Sequence, residues 1–413
     1  MDRTLLWVWL SLLFGPDKLI YRKIYESYGI EKAYDFDDAD MDIAGNSFTD
    51  YEKRNLLDKN LKYAKEVVEW CERAGVEIIT LDSENYPKRL LKLEKYPGVL
   101  YCRGELPNVN EMLCVTVVGT RNHSVYGERI AYEMGYGLTK GGALVVSGGA
   151  LGIDATAQKG ALLAEGKTIT VLGSGIDVIY PKPNKDLILE TMEKGAVITE
   201  YPPHSPADGF HFPQRNRIMA ALGNAVLIVE GKERSGALIT ARIAKELGVE
   251  VFAVPGPITQ STSKAPNQLI ADGSHVAMEA IDILEQFLDV YGKDINITAS
   301  KQKPQYTSGE IYEPKPKGLF KIFSKKAKKT DKPSTTKEKT TEKTDDQNTK
   351  IDLSMFSPTE LKVYSFMEAG VVYDFDKFDD LDLLVPVLTA TLSSLEIKKA
   401  VSALPGGRYI KKI

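Results

Sequence analysis

"VVSGGALGIDATAQKGALLAEGKTITVLGSG", residues 145–175, decides how the rest of the chain is read. It opens with a β-branched run, turns at Gly148 and Gly149, and continues through a helix-length segment over 154–165. A second apolar run, "TITVLG", follows the turn "GK". Strand, turn, helix, turn and strand within ~30 residues make a βαβ unit with parallel strands. Two phosphate-binding patterns overlap this stretch. Ala161-x-x-x-x-Gly166-Lys167-Thr168 fits a loose phosphate loop. Such a loop follows a strand and opens a helix, so that free N–H groups face the anion. Here the order is reversed: "ALLAE" ends a helix, and Gly166 reads as its C-cap. The other pattern is the dinucleotide fingerprint. Gly148, Gly149 and Gly152 lack its spacing, and Gly173-Ser174-Gly175 begins it but puts Val178 at the third glycine.

Further runs of the same kind flank this unit: "CVTVVG", "AVITEY", "AVLIVEG" and "VEVFAVPG". With "ALVVSG" and "TITVLG" they make six expected strands. Helices are predicted over 126–140, 154–165, 185–194 and 237–247. The strands are nearly all apolar, as strands covered on both faces are. The fold class is therefore α/β, with a Rossmann-like, mainly parallel sheet over 106–290. In such sheets ligands bind at the carboxyl ends of the strands, where this chain places its glycines.

Residues 1–105 read as an N-terminal helical, SAM-like domain with two short strands, "VEIITL" and "GVLYCRG", at its end. The apolar run over 5–14 is too short to span a bilayer, which takes ~20 residues. No small-residue cleavage site follows it, so a packed first helix is expected rather than a signal peptide. Residues 291–350 read as a basic, disordered linker; 301–350 hold fourteen Lys against seven Asp plus Glu. The whole chain carries −4, which leaves −11 outside that segment. Residues 351–413 pair helical runs with a terminal "PGGRYIKKI" and read as a winged-helix-like module. The acidic "YDFDKFDDLD" within it speaks against simple groove reading of DNA.

A net charge of −4 excludes a general polycation, so any nucleic-acid role needs a local patch. Three cysteines without C-x-x-C spacing exclude a disulfide scaffold and a cysteine zinc site, which suits a reducing cytoplasm. The four histidines show no metal spacing. No metal, cofactor or membrane association is expected.

Polar and basic residues gather at the expected strand ends. Gly119, Thr120 and Arg121 follow the first strand, and Ser147 and Gly148 the second. Lys182 lies beyond the third. "FPQRNR" precedes the fifth and supplies Phe212, Arg215, Asn216 and Arg217, with Phe210 just before it. "KERSG", with Arg234, Ser235 and Gly236, follows the fifth. Glycines let backbone N–H groups approach an anion, and arginines add bidentate donors for phosphate. Aromatic rings beside arginines suit single strands, where bases stack while cations track the backbone. Asp154, Glu200 and Glu230 also lie near strand ends. No catalytic set accompanies them, so structural roles are expected: a helix cap for Asp154 and an Arg234 pair for Glu230.

Taken together, "VVGTR", "VVSGGALGIDATAQKGAL", "TITVLGSGIDVIYPKPN", "FPQRNRIMAAL", "VEGKERSGALITARIA" and "VFAVPG" resemble, in that order, the DprA (Smf) family of DNA-processing proteins. The resemblance covers about residues 80–285. It implies a non-enzymatic, single-stranded DNA-binding protein. It further implies protection of incoming strands during natural transformation, help in loading the RecA recombinase, and homodimerisation through the central domain. Matching motifs carry the binding role to Gly119, Thr120 and Arg121, to Tyr180, Pro181 and Lys182, to Phe212, Pro213, Arg215, Asn216 and Arg217, and to Glu233, Arg234, Ser235 and Gly236. Gln158 departs from the histidine common in the family, which removes a titratable group there. The rival class is a nucleotide-processing enzyme of the phosphoribohydrolase type. Its P-G-G-x-G-T-x-x-E motif is absent from the core; "PGGRY" lies in the last module. A pure interaction adaptor, resting on the acidic last module, is a third reading.

Overall fold

A computed structural model describes residues 2–304 and 312–315. In the last module it describes 356, 358–368, 371–373, 388, 391–392, 394–396, 398, 400–404 and 408–411. The chain forms two compact units, Met1–Lys317 and Gly318–Ile413.

The first unit is built on nine strands: β1 (Glu77–Thr80), β2 (Val99–Gly104), β3 (Cys114–Val118), β4 (Leu144–Ser147), β5 (Thr168–Val171), β6 (Ala196–Thr199), β7 (Ala225–Ile228), β8 (Glu250–Ala253) and β9 (His275–Val276). Their order is β1-β2-β6-β5-β4-β3-β7-β8-β9. From β6 across to β9 all neighbours are parallel, while β2 pairs antiparallel with β6 and with β1. The six expected strands are all present. Every residue of β3 to β7 is buried, because helices cover both faces.

Two expectations shift. The strands at the end of the helical region do not close a separate domain, since β1 and β2 extend the central sheet. Tyr101 of β2 stands opposite Thr199 of β6, and Leu100, Tyr101 and Cys102 are fully buried. Nor does the folded body stop near 290. Helix Ile297–Ser300 follows, and Asn296 N donates to Gly141 O at 3.1 Å. Residues 312–315 lie across the helices Ile153–Leu163 and Lys185–Lys194. The Tyr312 ring meets Ala155, Leu162 and Leu187 there. Tyr312 Oη donates to Glu190 Oε1 at 2.5 Å, and Lys315 N to Glu190 Oε2 at 2.7 Å.

The apolar start forms the helix Arg3–Phe14, capped by Asp2 and buried along most of its length. Trp7 Nε1 donates to Asp82 at 2.5 Å and Trp9 Nε1 to Asp58 O at 2.9 Å, so both indoles bury their rings without stranding a donor. Among the described residues no helix is long and apolar enough to cross a membrane. The pseudo-phosphate loop is, as its order indicated, a helix end followed by a strand: helix Ile153–Leu163, then β5. The left-handed residue there is Glu165 (φ 62), not Gly166, whose N–H returns to Ala161 O at 3.2 Å.

In the second unit, helix Pro358–Phe366 accompanies a three-stranded antiparallel sheet of β10 (Val372–Tyr373), β11 (Val401–Leu404) and β12 (Arg408–Lys411), ordered β10-β12-β11. Val363, Leu392, Leu395 and Val401 form its core. Glu360 accepts from Ser394 Oγ at 2.6 Å and from Lys398 Nζ at 2.7 Å. Most of the basic linker and all but the first residue of the acidic run lie outside the described residues.

Candidate nucleic-acid interface

Three loops at the carboxyl edge of the sheet interlock. The loop after β3 lies on the glycine loop after β4. Gly152 (φ 85) sits so close to the carbonyls of Thr120 and Arg121 that a Cβ would overlap both. Ile153 N donates to Thr120 O at 3.2 Å. The loop after β5 joins them through Asn184, which is buried. Its Nδ2 donates to Gly149 O at 2.9 Å and to Ala150 O at 3.0 Å. Asn184 closes the single turn Lys182–Asn184, so the glycine loop fixes where Lys182 emerges. Neither Asn184 nor Gly152 figures among the site residues expected from sequence. Asn184 follows "PKP" and opens a helix, and nothing local marks it as a clamp.

On this base stands an exposed rim. The helix His211–Leu222 brings Phe212 to the edge with its ring half-buried. The Arg121 guanidinium lies over that ring, 5.3 Å from its centroid. Tyr180 packs on it at 5.4 Å with a 34° tilt. Arg121, Tyr180 and Lys182 are exposed, and Phe210 is 63% exposed. A flat guanidinium, two rings and an ammonium on one rim can hold phosphates and present π faces to bases.

Four expected contacts are corrected. Arg215 is 3% exposed and Arg217 8%. Arg215 points inward and donates to Gly148 O at 2.8 Å and to Val171 O. Burial pulls its guanidinium down to about 10; Asp154 opposes that shift and Arg121 adds to it. It remains charged at neutral pH and holds the ends of β4 and β5 together. Arg217 pairs with Glu200, which is itself buried, and with Asp17 at 3.1 Å. Both guanidiniums face internal partners rather than phosphates. Ser147 is fully buried, with Oγ donating to Val117 O at 2.7 Å. Gly148 is buried under the Arg215 guanidinium. These four shape the rim from beneath.

The remaining candidates lie on the β7 side. Arg234 and Gly236 are exposed and Ser235 is half-buried at the start of helix Gly236–Glu246. Asn216 reaches toward Gly236 O at 3.5 Å, so the two helices share this corner.

The three strand-end carboxylates are interior. Asp154 Oδ2 accepts Gly148 N at 3.2 Å; burial raises its pKa and Arg215 opposes the rise. Burial likewise raises Glu200, against Arg217. Glu230 takes Ser124, Gln260 and Thr262 instead of the expected Arg234. Gln158 is fully buried, with Nε2 donating to Thr170 Oγ1 at 2.8 Å, so this position faces β5 rather than a ligand. His211 stacks on Tyr201 at 4.0 Å, and burial lowers its pKa.

The sequence profile of the DNA recombination-mediator protein A family matches residues 77–288, just over half of the chain. The chain belongs to this family. Protein Smf of Escherichia coli strain K12 is 42% identical over 217 residues, which are 52% of this chain and 58% of that protein. The DNA processing protein DprA of Bacillus subtilis strain 168 is 36% identical over 212 residues, 51% of this chain and 71% of that protein. The chain thus spans under two thirds of the Escherichia coli relative. The X-ray structure of DprA from Streptococcus pneumoniae matches with a TM-score of 0.60 at 29% identity, covering 69% of this chain and 98% of that one. Every rim residue falls inside the family match. The helices before residue 77 and everything after 288 lie outside it.

Proposed function

We propose that this member of the recombination-mediator family binds single-stranded DNA along the rim and works as a mediator rather than a catalyst. Arg121 and Lys182 contact phosphates, Phe210 and Tyr180 offer faces to bases, and Phe212 backs Arg121. Arg234 and the Ser235–Gly236 turn extend the track on the β7 side. In this reading the protein shields incoming strands in the cytoplasm and delivers them to the RecA recombinase. It acts as a homodimer through its central domain. The observation that carries the reading is the packing of Arg121 and Tyr180 on the Phe212 ring, with exposed Lys182 two residues past Tyr180. Asp154, Glu200 and Glu230 are committed to internal partners, which favours binding over acid–base chemistry.

The test is single- and double-strand affinity across a salt series for wild type and for R121A/K182A. Two lost phosphate contacts should lower the single-strand salt slope by ~1.4 and weaken binding about tenfold or more at low salt. Equal affinities and slopes for both proteins would remove the rim from the interface.

A further inference from the structure

In a sheet of this order the chain leaves β3 toward β4 on one side and later returns to β7 on the other. The crevice between the ends of β3 and β7 is the topological switch point, where open α/β sheets take their ligands. The 16-residue helix Val125–Lys140 begins at that crevice with Ser124 as its N-cap. A helix start offers free N–H groups and the positive end of its dipole, which suits a phosphate.

Here the seat is filled from within. Glu230, the second residue past β7, is 1% exposed. Its Oε2 accepts Ser124 N at 2.8 Å. Its Oε1 accepts Ser124 Oγ at 2.6 Å, Thr262 Oγ1 at 2.9 Å and Gln260 Nε2 at 3.1 Å. Four donors from the loops after β3 and β8 therefore converge on one carboxylate. Gly127, in the first turn of the helix, is buried, and a Cβ there would overlap the same carboxylate. The Glu230 carbonyl also accepts Thr120 N at 2.8 Å, next to Arg121.

We infer that Glu230 is the resident anion of the switch crevice, a specificity-determining residue that bars the phosphate of a free nucleotide from this fold. The donors are those a phosphate would use, and Gly127 leaves room for an anion at the helix start. The anion is covalently part of the chain, so no free nucleotide competes for it. This goes beyond the DNA-binding reading and does not rest on it.

The experiment uses the full chain with E230S, which vacates the seat, and E230Q, which keeps it filled. The probes are inorganic phosphate and AMP, followed by calorimetry and by thermal melting. E230S should bind phosphate about tenfold or more tighter than wild type, as newly freed donors bonding a charged group imply. Its melting temperature should rise with phosphate, while those of wild type and E230Q stay flat. A folded E230S that ignores phosphate, or a wild type that binds it equally well, overturns the inference. If E230S and E230A both fail to fold even with phosphate present, Glu230 is only a structural residue and the inference falls. Failure of the R121A/K182A salt series would leave these results untouched.

Discussion

Arg121 and Arg217 carry the same guanidinium in two surroundings. Arg121 lies on the face of Phe212 with water around it. Arg217 is buried against Glu200, with Asp17 closing the pair. The difference teaches that a run of arginines near strand ends is two populations, sorted by whether the fold supplies internal acceptors: carboxylates for Arg217, backbone carbonyls for Arg215. The buried population builds the edge of the sheet, and the exposed one is left to meet a ligand.

The largest effect should come from breaking the interior member. R217A leaves Glu200 buried without its partner and should cost about 3–5 kcal/mol. Urea unfolding measures it, and a loss below ~1 kcal/mol would mean that Glu200 finds water. R121A/K182A should do the converse, changing stability by no more than ~0.5 kcal/mol while weakening DNA. If it melts like R217A, the division between the two populations is wrong.

F210A probes the exposed side without touching charge. A base stacked on that ring contributes ~1–3 kcal/mol. Single-strand affinity should fall accordingly with the salt slope unchanged; a changed slope would mean the substitution moved the cations.

The smallest effect concerns His211. Burial holds its folded pKa below the ordinary 6.5, so below that value the unfolded chain binds more protons. Stability is therefore whole above pH ~6.5 and declines as pH falls from there through the folded value. Melting curves of wild type and H211N at pH 7.5, 6.5 and 5.5 should diverge only on the acid side. A constant gap would show that the folded ring takes up protons as the unfolded one does, and so is solvated after all.

The sheet was legible because β3 to β8 are short, largely apolar runs, buried throughout except at Glu250, which leaves a nearly continuous apolar signature. β9 is two residues, His275 and Val276, too short to show one. The helix His211–Leu222 was hidden by Pro213, which a first turn tolerates, and by charges that a helix face normally exposes. That Arg217 lies inside could not be read locally. Its partners are Glu200, in another loop, and Asp17, at the far end of the sequence. The rim itself was partly legible: Arg121 and Tyr180 meet on Phe212, with Lys182 two residues past Tyr180 and exposed, whereas Ser147 and Gly148 were drawn in only by their place after a strand. Asn184, which clamps the glycine loop, carries no signature that distinguishes it from any helix-opening asparagine.

Residues 312–315 bear on where the chain can be cut. The family match ends at 288, and a fragment trimmed there would look like a natural core. It would remove the Tyr312 hydroxyl and the Lys315 amide from Glu190, leaving that carboxylate to Lys194 at 2.7 Å. It would also uncover the apolar strip of Ala155, Leu162 and Leu187 that the Tyr312 ring covers. A sticky surface on such a fragment would then be an artefact of the scissors, and self-association measured with it would report the missing tyrosine rather than the native assembly.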